Sequence, residues 1–521
     1  MTTSFVLKEN EVWLSKLLTR ARTFGPKLKR WHTRELAKGT PLRDTNTRVR
    51  HIVERLWVED FHFAADDQEI RDLAESFAKR YSRAAINSSF DIKRMVATFE
   101  KRYGFPLPSN TDIPRISCSK FWRRQLRNVA AQRVEQLNRE LGFTRRGVAS
   151  YVSDWGFKSW LAKDQRNRRL LEDMEAENDF GQSYILAELA DLGISNPVNK
   201  RNELMVRLDG FENYAEQNSE AAWVAMFYTW TCPSKYHAIT KGKANPKYNG
   251  ATPAEAQAWF NGQWQKTRAA LIRAGVPLYG FRVAEPHRDG TPHWHMLFFV
   301  PKARRKALTD ILRRFIMAED GHEPGARKHR FKVEAIDPRK GRATAYLAKY
   351  ISKNIDGHGL VADDEGEDHS AITALRVRAW SSIWNIRQFQ QIGGPPVTVY
   401  RECRKTARNL DILTGAPTPE VMEIIEAADK GDWSLFTEKM GGAVCRRLLR
   451  PLQLAYRIKE KLGQYGDRLK KLIGLWSYDQ AHPVAYPKPE WTIRRKGFSV
   501  SSIEGNSDSQ APPARTLEFC Q

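Results

Sequence analysis

The sequence predicts an α+β fold, a central antiparallel sheet with helical N- and C-terminal regions. Three observations carry this. Apolar residues recur at helical spacing in Glu11–Arg22 and Gln68–Arg83. From Ala222 the pattern changes to short β-branched and aromatic runs separated by helical stretches. One pair of runs, Tyr279–Pro286 and Pro292–Val300, flanks Asp289-Gly290, a hairpin turn signal. At 521 residues, 41% hydrophobic and 11% aromatic, the chain is too long for one core and apolar enough for several. The expected division is a basic helical region (1–110), a helical DNA-binding or accessory region (115–221), a sheet domain (222–410), a helical C-terminal region (411–490) and a disordered tail (491–521).

In chain order, Gly25-Pro26 stops the first helix and Leu107–Pro114 reads as a linker. Lys120–Leu141 is a long basic helix whose Arg face suits phosphates or plain solvent. Helices continue over Phe180–Ala222, broken near Asn196-Pro197. Val224–Cys232 reads as a buried strand stopped by Pro233. Thr252, Pro253 and Glu255 open a helix with a capping box, and Gly275 closes it. After the hairpin, Lys302–Met317 is an amphipathic helix and Lys328–Ile336 a strand. The order β-α-β-β-α-β is the split βαβ, ferredoxin-like arrangement, with both helices on one sheet face and the other face free for a site. Arg342–Asn354 adds a helix, Asp363–Asp368 an acidic loop, and Gly393-Gly394-Pro395-Pro396 a rigid turn before a strand. Thr418–Ser477 reads as helical.

The net charge of +24 favours a polyanionic partner, nucleic acid first and an anionic membrane second. No apolar run of about 18 residues spans a membrane. The five cysteines are scattered without a CxxC, which speaks against a disulfide framework or a thiolate zinc site and fits a reducing cytoplasm. The N-terminus lacks a basic segment followed by an apolar one, so no secretory signal is expected.

Chemistry concentrates in the hairpin. A three-residue loop, Arg288-Asp289-Gly290, sets Glu285 opposite His293. Alternation then puts Glu285, His293 and His295 on one face and Trp294 on the other. Two imidazoles and a carboxylate suit a divalent metal, Mg2+ or Mn2+ in a cell. A His-x-His pair alone is a weak signal, and two surface histidines on an edge strand are the plain alternative. His287, beside the turn, is a competing ligand. In the helix that follows, Tyr346 and Tyr350 lie one turn apart on one face, each trailed by a lysine, Lys349 and Lys353. Core packing with the hydroxyls at the rim is their plain role. Over Arg376–Arg404, Arg378, Arg387, Arg401 and Arg404 alternate with aromatics. They suit a clamp on single-stranded DNA, or equally the rim of a Trp core.

Together these segments resemble the HUH endonucleases. Tyr228-Thr-Trp-Thr-Cys-Pro-Ser234 is similar to their first motif, His293-Trp294-His295 to their metal motif, and Tyr346/Tyr350 to their paired catalytic tyrosines. Within that superfamily the chain most resembles the phage replication gene A protein family, over roughly Ala222 to Lys405, through FYTWTCPSKYH, RVAEPHRDGTPHWHMLFF, AYLAKYISKNIDG and WNIRQFQQIGGPPVTVYRECR. Trp230 departs from the smaller residue common in the first motif, a change of packing rather than chemistry. The resemblance implies a rolling-circle replication initiator that nicks one origin strand, becomes joined to the 5′ end and leaves a 3′ hydroxyl. It further implies a divalent metal on Glu285, His293 and His295, and catalysis by Tyr346 and Tyr350 with Lys349 and Lys353. The implied partners are origin DNA, single-stranded at the nick, and a host replicative helicase and polymerase in the bacterial cytoplasm. A relaxase or transposase of the same superfamily and a non-catalytic basic DNA-binding protein are the competing readings. A tyrosine pair placed after the histidines favours replication.

Overall fold

The computed structural model describes residues 3–218, 222–357 and 371–497. The acidic loop expected at Asp363–Asp368 and the tail beyond residue 497 lie outside them. The chain forms two compact units. The first gathers residues up to Gly156 with Ala238–Pro246 and Glu460–Leu469, so the linker expected at Leu107–Pro114 falls inside it. The second holds the rest. Among the described residues, no helix is long and apolar enough to cross a membrane.

The first unit is mainly helical. Helix Asp67–Ala84 starts in a capping box between Asp66 and Glu69, and Ile92–Tyr103 ends at left-handed Gly104. The 22-residue helix Ser119–Glu140 packs Trp122 against Phe77 and Phe99. Its basic face is partly committed. Arg127 pairs with Asp67 (2.8 Å) and Arg139 is buried on Gln136 (2.9 Å).

The second unit is a mixed α+β structure around a five-stranded sheet. The elements are α1 (Pro197–Gln217), β1 (Trp223–Thr231), α2 (Pro253–Arg273), β2 (Tyr279–Pro286), β3 (Pro292–Pro301), α3 (Arg305–Ile316), β4 (Phe331–Ala335), α4 (Ala343–Ile355), α5 (Ala371–Trp384), β5 (Phe389–Ile392) and α6 (Val397–Ala407), followed by α7 (Pro419–Asp429) and α8 (Trp433–Lys439). The strand order is β4-β1-β3-β2-β5, and every neighbouring pair is antiparallel. Strand alternation sorts the side chains. Tyr228, Trp230, Trp294 and Phe298 face α2 and α3. There Trp230 stacks on Trp294 (5.9 Å, 8°), Trp294 on Phe260, and Trp264 on Phe298. Phe227, Phe281, Val283, Leu297 and Phe299 face the opposite way, into a core with Leu208 and Phe211 of α1 and Leu347 and Ile351 of α4.

Five expectations need correction. The second sheet face is not free. Its aromatic and aliphatic rows would be costly to expose, and α1 and α4 cover them, leaving the turn end for polar residues. The Gly393–Pro396 turn leads into helix α6, not a strand. Val399, Tyr400 and Cys403 are buried at helical spacing, and the strand, β5, precedes the turn. The C-terminal region is not all helical, because Leu452–Leu462 and Arg468–Ser477 are strands of a three-stranded sheet with Val484–Ala485. Their Lys and Arg content imitates a helix and masks the alternation of Leu452, Leu454, Tyr456, Ile458 and Leu462 with mostly polar neighbours, a strand signal that the helical reading missed. The 115–221 region likewise contains strands Met174–Asn178 and Ser183–Ile185. Trp491–Arg495, assigned to the tail, pairs with the former.

Gly280 marks a close approach in β2. Its φ is 149°, and a Cβ there would sit 2.0 Å from the Leu297 carbonyl oxygen. Gly280→Ala is expected to lower stability by at least about 2 kcal/mol through backbone strain and overpacking. Thermal unfolding of the full chain measures it, and an unchanged melting temperature would remove the contact from the account.

Candidate metal centre

The hairpin register is the expected one. Glu285 pairs with His293 and Val283 with His295. His287 N–H donates to Thr291 O (2.7 Å) and Gly290 N–H to His287 O (2.8 Å), which closes a three-residue loop with Gly290 at φ 81°. The Asp289 carboxylate accepts from Thr291 N–H (3.0 Å), and Trp380 Nε1–H of α5 donates to Gly290 O (2.8 Å), so the turn is anchored at both ends.

Glu285, His293 and His295 converge as one cluster, their ligand atoms within 4.8 Å of one another. The Nε2 atoms of the two histidines lie 2.9 Å apart, and Glu285 Oε2 lies 3.4 Å from that of His295 and 3.7 Å from that of His293. A triangle with these sides has its centre about 2 Å from each corner, the length of a bond from an imidazole nitrogen or carboxylate oxygen to Zn2+ or Mg2+. The donor set therefore fits one divalent cation with open positions remaining. His295 Nδ1 contacts the Thr229 hydroxyl (3.2 Å), an arrangement that leaves Nε2 free to carry the lone pair. Glu285 is 2% exposed. Burial pushes its carboxyl up, but the His295 hydrogen bond, the Lys353 charge and the Asn354 hydrogen bond outweigh burial and hold it below the usual range. Burial, then the neighbouring His287 and His295, keep His293 well below the usual imidazole value. An ionised carboxylate and neutral imidazoles are the forms that bind metal.

His287 stands beside this cluster, not in it. Its ring lies 4.1 Å from that of His293 and 5.1 Å from that of His237, and burial followed by the His237 charge pushes it down to about 3.

Helix α4 brings the tyrosines. Tyr350 stacks on the His295 ring (3.9 Å, 21°) and on Phe227 (5.8 Å, 14°), while Tyr346 lies 6.2 Å from Phe227. Both are half-buried. Burial first, then the Glu285 and Glu334 charges, raises the Tyr350 phenol above its ordinary value. Burial followed by Glu334 does the same to Tyr346. The Lys349 ammonium sits 4.9 Å from the Tyr350 ring centroid, and the Lys353 charge acts on both Glu285 and His293.

The four arginines are spread over α5, the α5–β5 loop and α6. The Arg378 guanidinium lies 5.5 Å from the Trp160 ring, itself stacked with Phe157. Arg387 is exposed and donates to Phe389 O (3.2 Å). Arg401 holds Glu203 through two 2.8 Å hydrogen bonds, and Arg404 lies 5.8 Å from the Tyr400 ring.

Sequence reasoning missed Asn354, whose side-chain amide donates to Glu285 Oε1, and Gln388, which donates to Asn354 Oδ1 (3.1 Å). Asn354 follows Tyr350 by four residues, so the spacing that joined the tyrosines also pointed to it. Nothing in the sequence pointed to Gln388.

The model of the family described as bacteriophage replication gene A protein (GPA) matches residues 43–358, more than half of the chain. The chain is 39% identical to the "Replication protein" of Haemophilus phage HP1 (74% of this chain, 49% of that protein) and 40% identical to the "Replication gene A protein" of Escherichia phage 186 (78% and 59%). It is 33% identical to a "Probable replication endonuclease from prophage-like region 2" of Salmonella typhi (87% and 58%). It thus spans about half to three fifths of the length of these relatives. No solved structure matches it significantly. With a family match that takes in β1, the metal-ligand hairpin and the tyrosine helix, the chain belongs to the bacteriophage replication gene A protein family.

Proposed function

We propose that the chain initiates rolling-circle DNA replication as a metal-dependent, site- and strand-specific endonuclease and ligase of the HUH type. The observation that carries this reading is the stacking of Tyr350 on His295, which sets a phenol against a metal-suited His/His/Glu cluster. The strand order supports reading the sheet as a ferredoxin-like split βαβ, since β2 follows β1 through α2 and β4 follows β3 through α3. The names of the relatives, replication proteins and a replication endonuclease, point the same way.

In this reading Glu285, His293 and His295 hold Mg2+ or Mn2+. When bound, the cation supplies Lewis-acid polarisation of a non-bridging oxygen of the scissile phosphate. The phenol oxygen of Tyr346 or Tyr350 attacks phosphorus. A Tyr O–P bond forms as the P–O3′ bond breaks, the phenol gives up its proton, and the 3′ oxygen leaves as a hydroxyl after taking one. Lys349 places positive charge beside the Tyr350 phenol, where it favours the attacking phenolate, and Lys353 places it beside Glu285, where it would face the negative charge that gathers on the phosphate oxygens. The phosphotyrosine ester keeps the bond energy of the phosphodiester, so a 3′ hydroxyl can reverse the step and religate. Two tyrosines one helical turn apart let the second cut while the first still carries DNA. The substrate is origin DNA, single-stranded at the nick. A host replicative helicase and polymerase, in the bacterial cytoplasm, complete the cycle. Arg378 and Arg387, and with them Arg404, steady the strand, whereas Arg401 is held by Glu203.

Incubation with Mn2+ and labelled single-stranded oligonucleotides tiled across its own replicon is expected to give a protein-linked label that survives SDS. The Tyr346→Phe/Tyr350→Phe double variant loses it, and whichever single variant retains it ranks the two. Intact binding with no adduct on any tile would move the chain to a non-catalytic DNA-binding role. Chelation should abolish the adduct and Mn2+ restore it, and His293→Ala should slow its formation by at least about 100-fold. A variant that keeps the wild-type rate would detach His293 from the chemistry. In binding assays with the tyrosine double variant, Arg378→Ala and Arg387→Ala should each flatten the log Kd against log salt slope by about 0.7, the loss of one single-strand phosphate contact. An unchanged slope would exclude that contact.

A further inference from the structure

Asn354 occupies the position after Tyr346 and Tyr350 on one stripe of α4, each four residues from the last. It is 1% exposed and uses its whole side chain. Its amide nitrogen donates to Glu285 Oε1 and to the Tyr350 carbonyl (2.5 Å), and its oxygen accepts from Gln388 Nε2 (3.1 Å). Two acceptors on one side and a donor on the other fix the amide orientation, because a flipped amide would set oxygen against oxygen. Gln388 is 8% exposed and is itself tied to the hairpin, since its carbonyl accepts from Ala284 N–H (2.7 Å), next to Glu285.

The consequence falls on the carboxylate. With Oε1 held by Asn354, the Oε2 atom faces the two histidine nitrogens at 3.4 and 3.7 Å. Without the amide, a buried carboxylate with one unpaired oxygen would turn or take a proton, and either change spoils the ligand triangle. We infer that Asn354, oriented by Gln388, is the positioning residue that presents Glu285 to the metal through a single oxygen and registers the tyrosine helix on the same ligand. This rests on the metal reading above, and it adds a role for a residue outside the three-ligand cluster.

The test is calorimetric titration of the full chain with MnCl2 alone, on wild type, Asn354→Leu and Gln388→Ala, with circular dichroism melts to confirm folding. Asn354→Leu keeps the volume and removes the donor. Its Mn2+ dissociation constant is expected to rise by about 10–100-fold, the usual cost of losing a partner of a metal ligand, and Gln388→Ala to shift it less in the same direction. Adduct formation by Asn354→Leu should return toward the wild-type rate at saturating Mn2+, a split that lost packing alone would not produce. A folded Asn354→Leu protein with a dissociation constant within about twofold of wild type overturns the inference while leaving the metal centre standing. Should that variant not fold, Gln388→Ala decides on the same criterion. Failure of the wild-type chain to bind Mn2+ at all overturns the metal reading and this inference with it.

Discussion

The arrangement of the second unit depends on the pairing of Glu285 with His293 across the β2–β3 hairpin. A side-chain period of two means that a slip by one residue would send the carboxylate to the opposite face, among Trp230, Trp294 and Phe260. Several constraints prevent the slip. The three-residue loop needs a left-handed residue where Gly290 stands, the turn is pinned to Trp380, and Gly280 lets β2 lie close against Leu297. Each is local, and together they bring the Glu285, His293 and His295 ligand atoms within 4.8 Å of one another.

Helix α4 serves two purposes at once. Leu347 and Ile351 cover the apolar rows of the sheet, while Tyr346, Tyr350 and Asn354 run along the adjacent stripe toward the polar end. The burial that stabilises the fold also sets the distance between phenol and imidazole. Such an arrangement tolerates little sliding, because moving the helix one turn would expose Leu347 and break the Asn354 contact together. The net charge of +24 is less available than it looks. Arg401 is committed to Glu203, Arg127 to Asp67, and Arg139 is buried, so the surface excess comes from other side chains.

Much of the site was legible in the sequence. The hairpin register, the common face of Glu285, His293 and His295, the opposite face of Trp294 and the shared face of the two tyrosines all follow from short-range periodicity and one turn signal. What failed also has a pattern. Val397–Tyr400 looks like a strand by composition, yet it is helical because Val399, Tyr400 and Cys403 meet the core at helical spacing. Arg457–Lys471 looks like a basic helix by its charge, yet it lies in two neighbouring strands and the turn between them, the first with an apolar alternation through Leu454, Tyr456, Ile458 and Leu462. In the first stretch long-range packing overrode local preference, and in the second the charged composition hid a period of two that the sequence did carry.

The sequence by itself determined which residues can share a strand or helix face, because alternation and helical repeat are properties of the backbone and need no partner. It also determined the overall charge and the kind of ligand set available. Only the tertiary structure decided that α1 and α4 close the second sheet face, that Tyr350 lies on His295, that His287 stays beside the cluster, and that Asn354 and Gln388 orient Glu285. Apart from the contact between His287 and His293, these join residues tens of positions apart. Their geometry is set by how whole elements pack to bury apolar surface, and no local period encodes it.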